Sequence, residues 1–368
     1  MKKLIFSFYF LFLLLFSLFS YLFIDLNLIY LKSIYTGYAF SNRGVVSVIY
    51  CLFILLFFLF YFYFIKLIKN KNLSVKEIIF LITATSIILF FSYPAMLSYD
   101  IFNYIATAKV TFFYNENPYL IMPIDFKGDP LLLFTHAANK TALYGPFWIF
   151  LTGIPYLLGF GNFILTTFSF KLFSTAFYIL SCLLSYKLTK NKLSLVLISL
   201  NPLILIESLV SAHNDIAMMF FALLALYFLL NSEQVKSYLL LLLSFLIKFA
   251  TIFLLPVFIL FKKIKDNQKF PFLFLAMFLI FLLSSLREEI YPWYAIWFLV
   301  FAFLSPKNKL ILYISLAFSF SLLFRYVPYM YFGTHFGNTP LIKTSVTFIF
   351  PLATLIYLFI KRSIKFGR

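Results

Sequence analysis

The stretch from Ser98 to Tyr119, SYDIFNYIATAKVTFFYNENPY, gathers an aspartate, tyrosines and asparagines in a chain that elsewhere avoids polar side chains. A carboxylate at a boundary between membrane and water is partly desolvated, which raises its pKa and suits it to take a proton from a hydroxyl group. Asp100 is therefore a candidate general base. Its plainer role is the N-cap of a helix, for which aspartate is favoured, and the two roles are compatible. A second polar cluster, His213, Asn214 and Asp215, follows the run LNPLILIESLVSA. It too has a plainer role, because Asn214 and Asp215 suit the first turn of a following helix and an isolated histidine is more often structural than catalytic.

Glu207 and Lys248 lie inside apolar runs. An ionised group there costs about 2.5–3.5 kcal/mol or more, so both are expected to face the bundle interior or a cavity. Arg287 precedes the aromatic segment YPWYAIW, and Arg325 precedes YVPYMYFGTHFGN. Each reads first as an interfacial anchor, yet a guanidinium fork also suits a phosphate, whereas Lys248 would act on one as a buried point charge. His136 and His335 are weaker candidates, with no partner at a telling spacing. No metal-ligand spacing, glycine-rich phosphate loop, nucleophile elbow or nucleotide motif is present, so no cofactor is expected.

The elements that must position these groups follow from composition. With 64% hydrophobic and only 11% charged residues, the chain lies far outside the soluble range and reads as an all-α polytopic membrane protein. The apolar runs Leu4–Ile24, Val46–Ile65, Ile78–Leu97, Phe163–Tyr186 and Phe270–Leu286 are continuous and do not alternate, which excludes barrel strands. The first run follows Lys2 and Lys3 but has no small-residue cleavage site, so it is read as a retained helix. The net charge of +18 is spread over short basic clusters between apolar runs, the pattern of the positive-inside rule and not of nucleic-acid binding. Cys51 and Cys182 lie within apolar stretches and read as small buried hydrophobes.

If the basic clusters are cytoplasmic, both termini are cytoplasmic, and Asp100 opens a long external segment covering residues 98–145. Within it, Asp100 to about Phe112 should form an amphipathic helix. Asp100, Asn103, Tyr104, Thr107 and Thr111 would share one face, and the apolar face would lie among lipid headgroups. Asn117-Pro118 should end this region. Gly159-Phe160-Gly161-Asn162 divides the next apolar region in two, and Lys248 with Pro256 points to a broken element within Tyr238–Phe261. Helix length predicts roughly eleven to thirteen hydrophobic helices in a single domain spanning residues 1–368.

The motifs SYDIFNY, NENPY, YGPFW, LNPLILIESLVSAHND, LIKFATIFLLP and YPWYAIW, in this order, resemble the GT-C superfamily of integral-membrane glycosyltransferases. Within it the chain is most similar to polyprenyl-phosphate-dependent mannosyltransferases, over about Ser98 to Trp297. The resemblance implies a GT-C-like bundle with its active site on the outer face and Asp100 as the catalytic carboxylate. By the same likeness Asn117, Tyr119, His213, Asn214, Asp215, Trp293 and Tyr294 are expected to bind substrate; Asn103 and Tyr104, on the polar face of the Asp100 helix, are expected to join them, and Lys248 and Arg287 are the cations expected to hold phosphate. Many members carry paired acids in the first loop, whereas Tyr99 and Ile101 flank Asp100 here, so metal dependence is left open. The expected activity moves a hexose, favoured to be mannose, from a polyprenyl-phosphate donor to a glycan or lipid-linked acceptor, with inversion and with membrane lipids as surroundings. The rival is a multipass transporter or lipid flippase, with Glu207 and Lys248 marking the path. A glycan polymerase or ligase is a third reading.

Overall fold

The structure, a computed structural model, describes residues 2–28, 37–286 and 288–366, and among these all regular structure is helical. Six helices are long and apolar enough to cross a membrane: Lys2–Phe23, Arg43–Lys69, Phe163–Thr189, Asp266–Leu286, Lys309–Phe332 and Thr339–Lys361. A seventh candidate is a broken pair, Lys192–Ser199 followed by Pro202–Val210. The expected eleven to thirteen hydrophobic helices are reached when the apolar helices of 10–17 residues, such as Pro146–Leu157, Asp215–Leu230 and Gln234–Ile247, are included. On the first span, Leu4, Phe8, Leu11, Leu15 and Leu18 stay exposed at intervals of three and four residues, a lipid-facing stripe.

The chain divides into two compact units. The first comprises Met1–Ala39, Ile79–Leu184 and Ile206–Ile252. The second comprises Phe40–Ile78, Ser185–Leu205 and Phe253–Arg368.

In the first unit, the run expected to span from Ile78 to Leu97 stops short. Its helix covers Val75–Phe90, and a separate turn forms at Pro94–Met96. Proline removes a backbone donor and holds Tyr93 extended, so the helix cannot continue. The helix end is then closed from outside by Lys171, a wholly buried lysine on the Phe163–Thr189 span. Its ammonium donates to the Leu89 carbonyl at 3.2 Å, to the Ser92 hydroxyl at 3.1 Å and to the Ser92 carbonyl. The amine thus adds a donor to the Leu89 carbonyl, which also accepts from the Ser92 amide, and supplies one to the Ser92 carbonyl just past the helix end.

The helix that begins at Asp100 runs to Phe112, as the residue pattern predicts. Its apolar face does not lie among headgroups. Ile101, Phe102, Ile105 and Ala108 are buried, and the Phe102 ring packs on Phe134 and Phe163 at 5.6 and 5.5 Å. The polar side is buried as well at Asn103, Tyr104 and Thr107, because residues 117–145 fold back over it. Two other breaks fall where glycine and lysine placed them. A short helix, Pro146–Leu157, is separated from the Phe163–Thr189 span by the Gly159–Asn162 turn, and Gln234–Ile247 ends at Lys248, whose backbone is extended at φ −155° and ψ 126°.

In the second unit, Asn201 caps the helix that begins at Pro202: its side-chain oxygen accepts from the Leu203 and Ile204 amides and from the Ser319 hydroxyl. Glu289 accepts hydrogen bonds from Arg325 at 3.3 Å and from Lys343 at 3.1 Å, so two buried cations share one half-exposed carboxylate.

Replacing Lys171 with methionine keeps the apolar stem and removes the donor. The Ser92 carbonyl then loses its amine donor in an apolar interior, a cost of about 1–3 kcal/mol, while the Leu89 carbonyl keeps its bond from the Ser92 amide. A lowered thermal midpoint of the detergent-solubilised variant is expected, and an unchanged midpoint would show that the cap contributes nothing.

Candidate active site

The first unit brings Asp100 and the His213 cluster together. The segment before His213 is unusual: Ile206–Val210 forms a π turn, and Ala212 takes a left-handed conformation with φ 56°. Such backbone costs about 1–3 kcal/mol at a residue other than glycine and gathers at functional sites. Its effect is to fold the chain so that the His213 amide donates to the Glu207 carbonyl at 2.9 Å. The Ser174 hydroxyl pins the turn by donating to the Ser208 carbonyl at 2.8 Å.

His213 is thereby held between two carboxylates. Its Nδ1 lies 3.4 Å from Asp100 Oδ2 and its Nε2 lies 3.3 Å from Glu207 Oε2. The His213 and Glu207 side chains are completely buried, whereas the Asp100 side chain is 27% exposed. Asp100 is thus the end of the line that a substrate can reach. It occupies the first helical position, and its carboxylate is not a cap: Tyr99 takes the capping place and makes no side-chain capping bond.

The surrounding groups fix this arrangement. Asn103 Nδ2 donates to Asp100 Oδ1 at 3.4 Å, and Asn103 Oδ1 accepts from the Ala137 amide at 3.1 Å. The Tyr104 hydroxyl donates to Asn214 Oδ1 and accepts from the Asn214 amide, both at 3.3 Å. Its ring meets Tyr144 and Trp148 edge-on at 4.8 and 5.2 Å. Gly145 explains the YGPFW motif. A Cβ there would stand 2.1 Å from the Leu246 carbonyl oxygen, and the Gly145 amide donates to the Ile247 carbonyl at 3.1 Å. The close approach anchors the helix end immediately before Lys248.

Asp215 opens the helix Asp215–Leu230, with Asn214 just outside it, and its carboxylate pairs with Lys248 Nζ at 3.0 Å. The Lys248 side chain is 23% exposed. These charges set the state of Asp100. Burial pushes its carboxyl upward, but the hydrogen bond and charge of His213, the charge of Lys248 and the hydrogen bond from Asn103 outweigh it and hold the pKa below the ordinary 3.8. The raised value expected for a partly desolvated aspartate is therefore corrected: cationic and donor neighbours win over desolvation. Burial, reinforced by the charge of Asp100, pushes the Tyr104 hydroxyl well up, so it stays a neutral donor.

Asn117 and Tyr119 do not join this cluster directly. Asn117 Oδ1 accepts from the Tyr119 amide at 3.0 Å in a local turn, and the Tyr119 hydroxyl donates to the Tyr144 carbonyl at 2.8 Å. They brace the backbone that carries Tyr144 and Gly145. Trp293 and Tyr294 belong to the second unit, where Trp293 stacks on Tyr291 at 4.6 Å and Tyr294 on Trp297 at 4.3 Å. Arg287, expected to hold phosphate, lies outside the described residues.

Sequence reasoning missed Asp25 and undervalued His136. The Tyr99 hydroxyl donates to Asp25 Oδ2 at 2.9 Å, and the His136 ring stacks on Tyr99 at 3.8 Å. Burial lowers the His136 pKa, and the charges of Asp25 and Asp100 oppose that shift, which shows that both acids lie within its electrostatic reach. The only signal was Asp25 itself, an acid at the end of the first apolar run. Among the described residues, no group of three or more His, Cys, Asp or Glu side chains is arranged to hold a metal ion.

No curated protein and no solved structure matches the chain. A family profile does match residues 28–263, well over half of the length, beginning before the first motif identified here and ending short of YPWYAIW. That profile describes the N-terminal domain of the MptA_B family, alpha-(1->6)-mannopyranosyltransferase, and this all-helical membrane chain belongs to that family.

Proposed function

We propose that the protein transfers a mannosyl group from a polyprenyl-phosphate donor to a hydroxyl of a glycan or lipid-linked acceptor at the outer membrane face, with inversion and with Asp100 as general base. The observation that carries this reading is the ionised, partly exposed Asp100 carboxylate at the open end of an otherwise sealed line of His213 and Glu207. The outer-face assignment and cytoplasmic termini follow from reading the basic clusters as cytoplasmic.

The acceptor oxygen attacks the anomeric carbon as its proton passes to an Asp100 oxygen. The bond between that carbon and the phosphate oxygen breaks, and polyprenyl phosphate leaves with the electron pair. A carboxylate of low pKa is a weak base toward an alcohol, so proton transfer must come late, when the attacking oxygen has already become acidic. Phosphate leaves readily, so the protein chiefly supplies position and charge. An α-linked product made with inversion requires a β-linked donor. Lys248, partly exposed and with its Nζ held 3.0 Å from Asp215, supplies positive charge to the departing phosphate. Asn103, Tyr104, His213 and Asn214 orient the reacting groups, and no cofactor is required for this step.

Three outcomes test the reading. In membranes supplied with polyprenyl-phosphate mannose, Asp100→Asn should lower transfer by about a hundredfold or more, the scale of a lost general base, while expression and thermal midpoint stay close to wild type. Full activity of that variant removes Asp100 as base, and wild-type membranes that move solute but transfer no sugar favour a transporter.

The pH dependence has a defined sign. A depressed pKa means that the base is active above it and is lost as pH falls through it, so the acid limb of kcat/KM should lie below the ordinary aspartate value of 3.8. Lys248→Met removes one of the lowering charges, so its limb should move upward along with a loss in rate. A limb that stays in place would separate Lys248 from Asp100.

Gly145→Ala forces a methyl group against the Leu246 carbonyl. Transfer should drop because the helix end carrying Lys248 must shift, and an alanine variant of wild-type rate would show that the close approach is dispensable.

A further inference from the structure

We propose that Glu207 is a positioning residue for the transfer, keeping the Nδ1 proton of His213 aimed at Asp100. This inference rests on Asp100 being the base. Both nitrogens of the ring meet a carboxylate oxygen, Nδ1 at 3.4 Å from Asp100 and Nε2 at 3.3 Å from Glu207. A carboxylate accepts and does not donate unless it is protonated, so a line that keeps one ring hydrogen for Asp100 and holds one more proton on the Nε2 side has two arrangements. Either the ring is an imidazolium between two carboxylates, or the ring is neutral and Glu207 carries an acid proton pointed at Nε2. The net charge is the same in both, and the His213 and Glu207 side chains have no exposed surface. In both arrangements Nδ1 bears its hydrogen and faces Asp100.

That constancy gives the buried acid its purpose. Nothing else about a neutral imidazole forbids the opposite tautomer, in which the Nδ1 lone pair would point at the Asp100 carboxylate and repel it. The strained path through the π turn and Ala212 is what brings Glu207 and His213 into register. The other groups bearing on Asp100 are Lys248 and the neutral tyrosines Tyr104 and Tyr144, with His136 within its field and Asp215 engaged with Lys248. Asn103 also donates to Asp100, and of all these donors His213 is the one whose hydrogen position depends on a buried acid.

Glutamine at this position carries no acid proton and can face Nε2 with either its oxygen or its nitrogen. It therefore admits the wrong tautomer. Glu207→Gln is expected to lower kcat by about 10- to 100-fold, the usual effect of losing the partner that orients a functional histidine, with donor KM nearly unchanged. The acid limb of its pH profile should move upward. Glu207→Asp, one methylene shorter but still an acid, should fall between the two in both rate and limb. A purely structural role would leave the limb where it is. The assay is run beside wild type and Asp100→Asn: wild-type transfer together with an inactive Asp100→Asn and a Glu207→Gln of wild-type kcat and limb overturns this inference alone, whereas an active Asp100→Asn overturns the base assignment beneath it. If the glutamine variant is not recovered folded, Glu207→Asp decides, with an upward limb supporting the role and an unmoved limb overturning it.

Discussion

The contact between His213 Nδ1 and Asp100 Oδ2, at 3.4 Å, is the interaction on which the site depends. It joins residues more than a hundred positions apart and places a cation or a donor beside a carboxyl that burial alone would push upward in pKa. Everything else in the first unit serves to hold that pair. Lys171 closes the helix that leads to Asp100, Asn103 ties the carboxylate to the 137 segment, and the Tyr104 hydroxyl clamps Asn214 next to His213.

The price of this arrangement is visible in the backbone. A π turn and a left-handed alanine are poor local choices, yet they place Glu207 and His213 on the same side of a turn that an ordinary α-helix would separate. A glycine at 145 serves the same end from the other direction, because only a residue without a side chain lets that backbone touch the Leu246 carbonyl. Function in this family member therefore draws on irregular segments between helices, while the spans give them a rigid frame.

Much of that frame was legible in the residues. The Asp100 helix ends at Phe112 as its pattern predicts, the chain breaks at Lys248, and the glycines at 159 and 161 divide two helices. Each is a local signal. What was not legible depends on tertiary partners. The apolar side of the Asp100 helix looks lipid-facing by pattern, but Phe134 and Phe163 cover it, and a hydrophobic face carries no mark of whether lipid or protein will bury it. The sense of the Asp100 shift depended on His213 and Lys248, which no spacing places beside it. Lys171 gave no warning at all, since a lysine in an apolar run reads as a transport or phosphate group and here caps a helix. Asn117 and Tyr119 lie in a recognisable motif, yet they support backbone and do not face Asp100.

Chemical rescue tests the central claim most directly. With Asp100 replaced by glycine, the space left by the carboxylate opens toward the exposed end of the line, and added formate can supply the missing base. Transfer from polyprenyl-phosphate mannose should be almost absent in this variant, return in proportion to formate, and be indifferent to formate in wild type. Full transfer by the glycine variant without any added carboxylate would contradict the account.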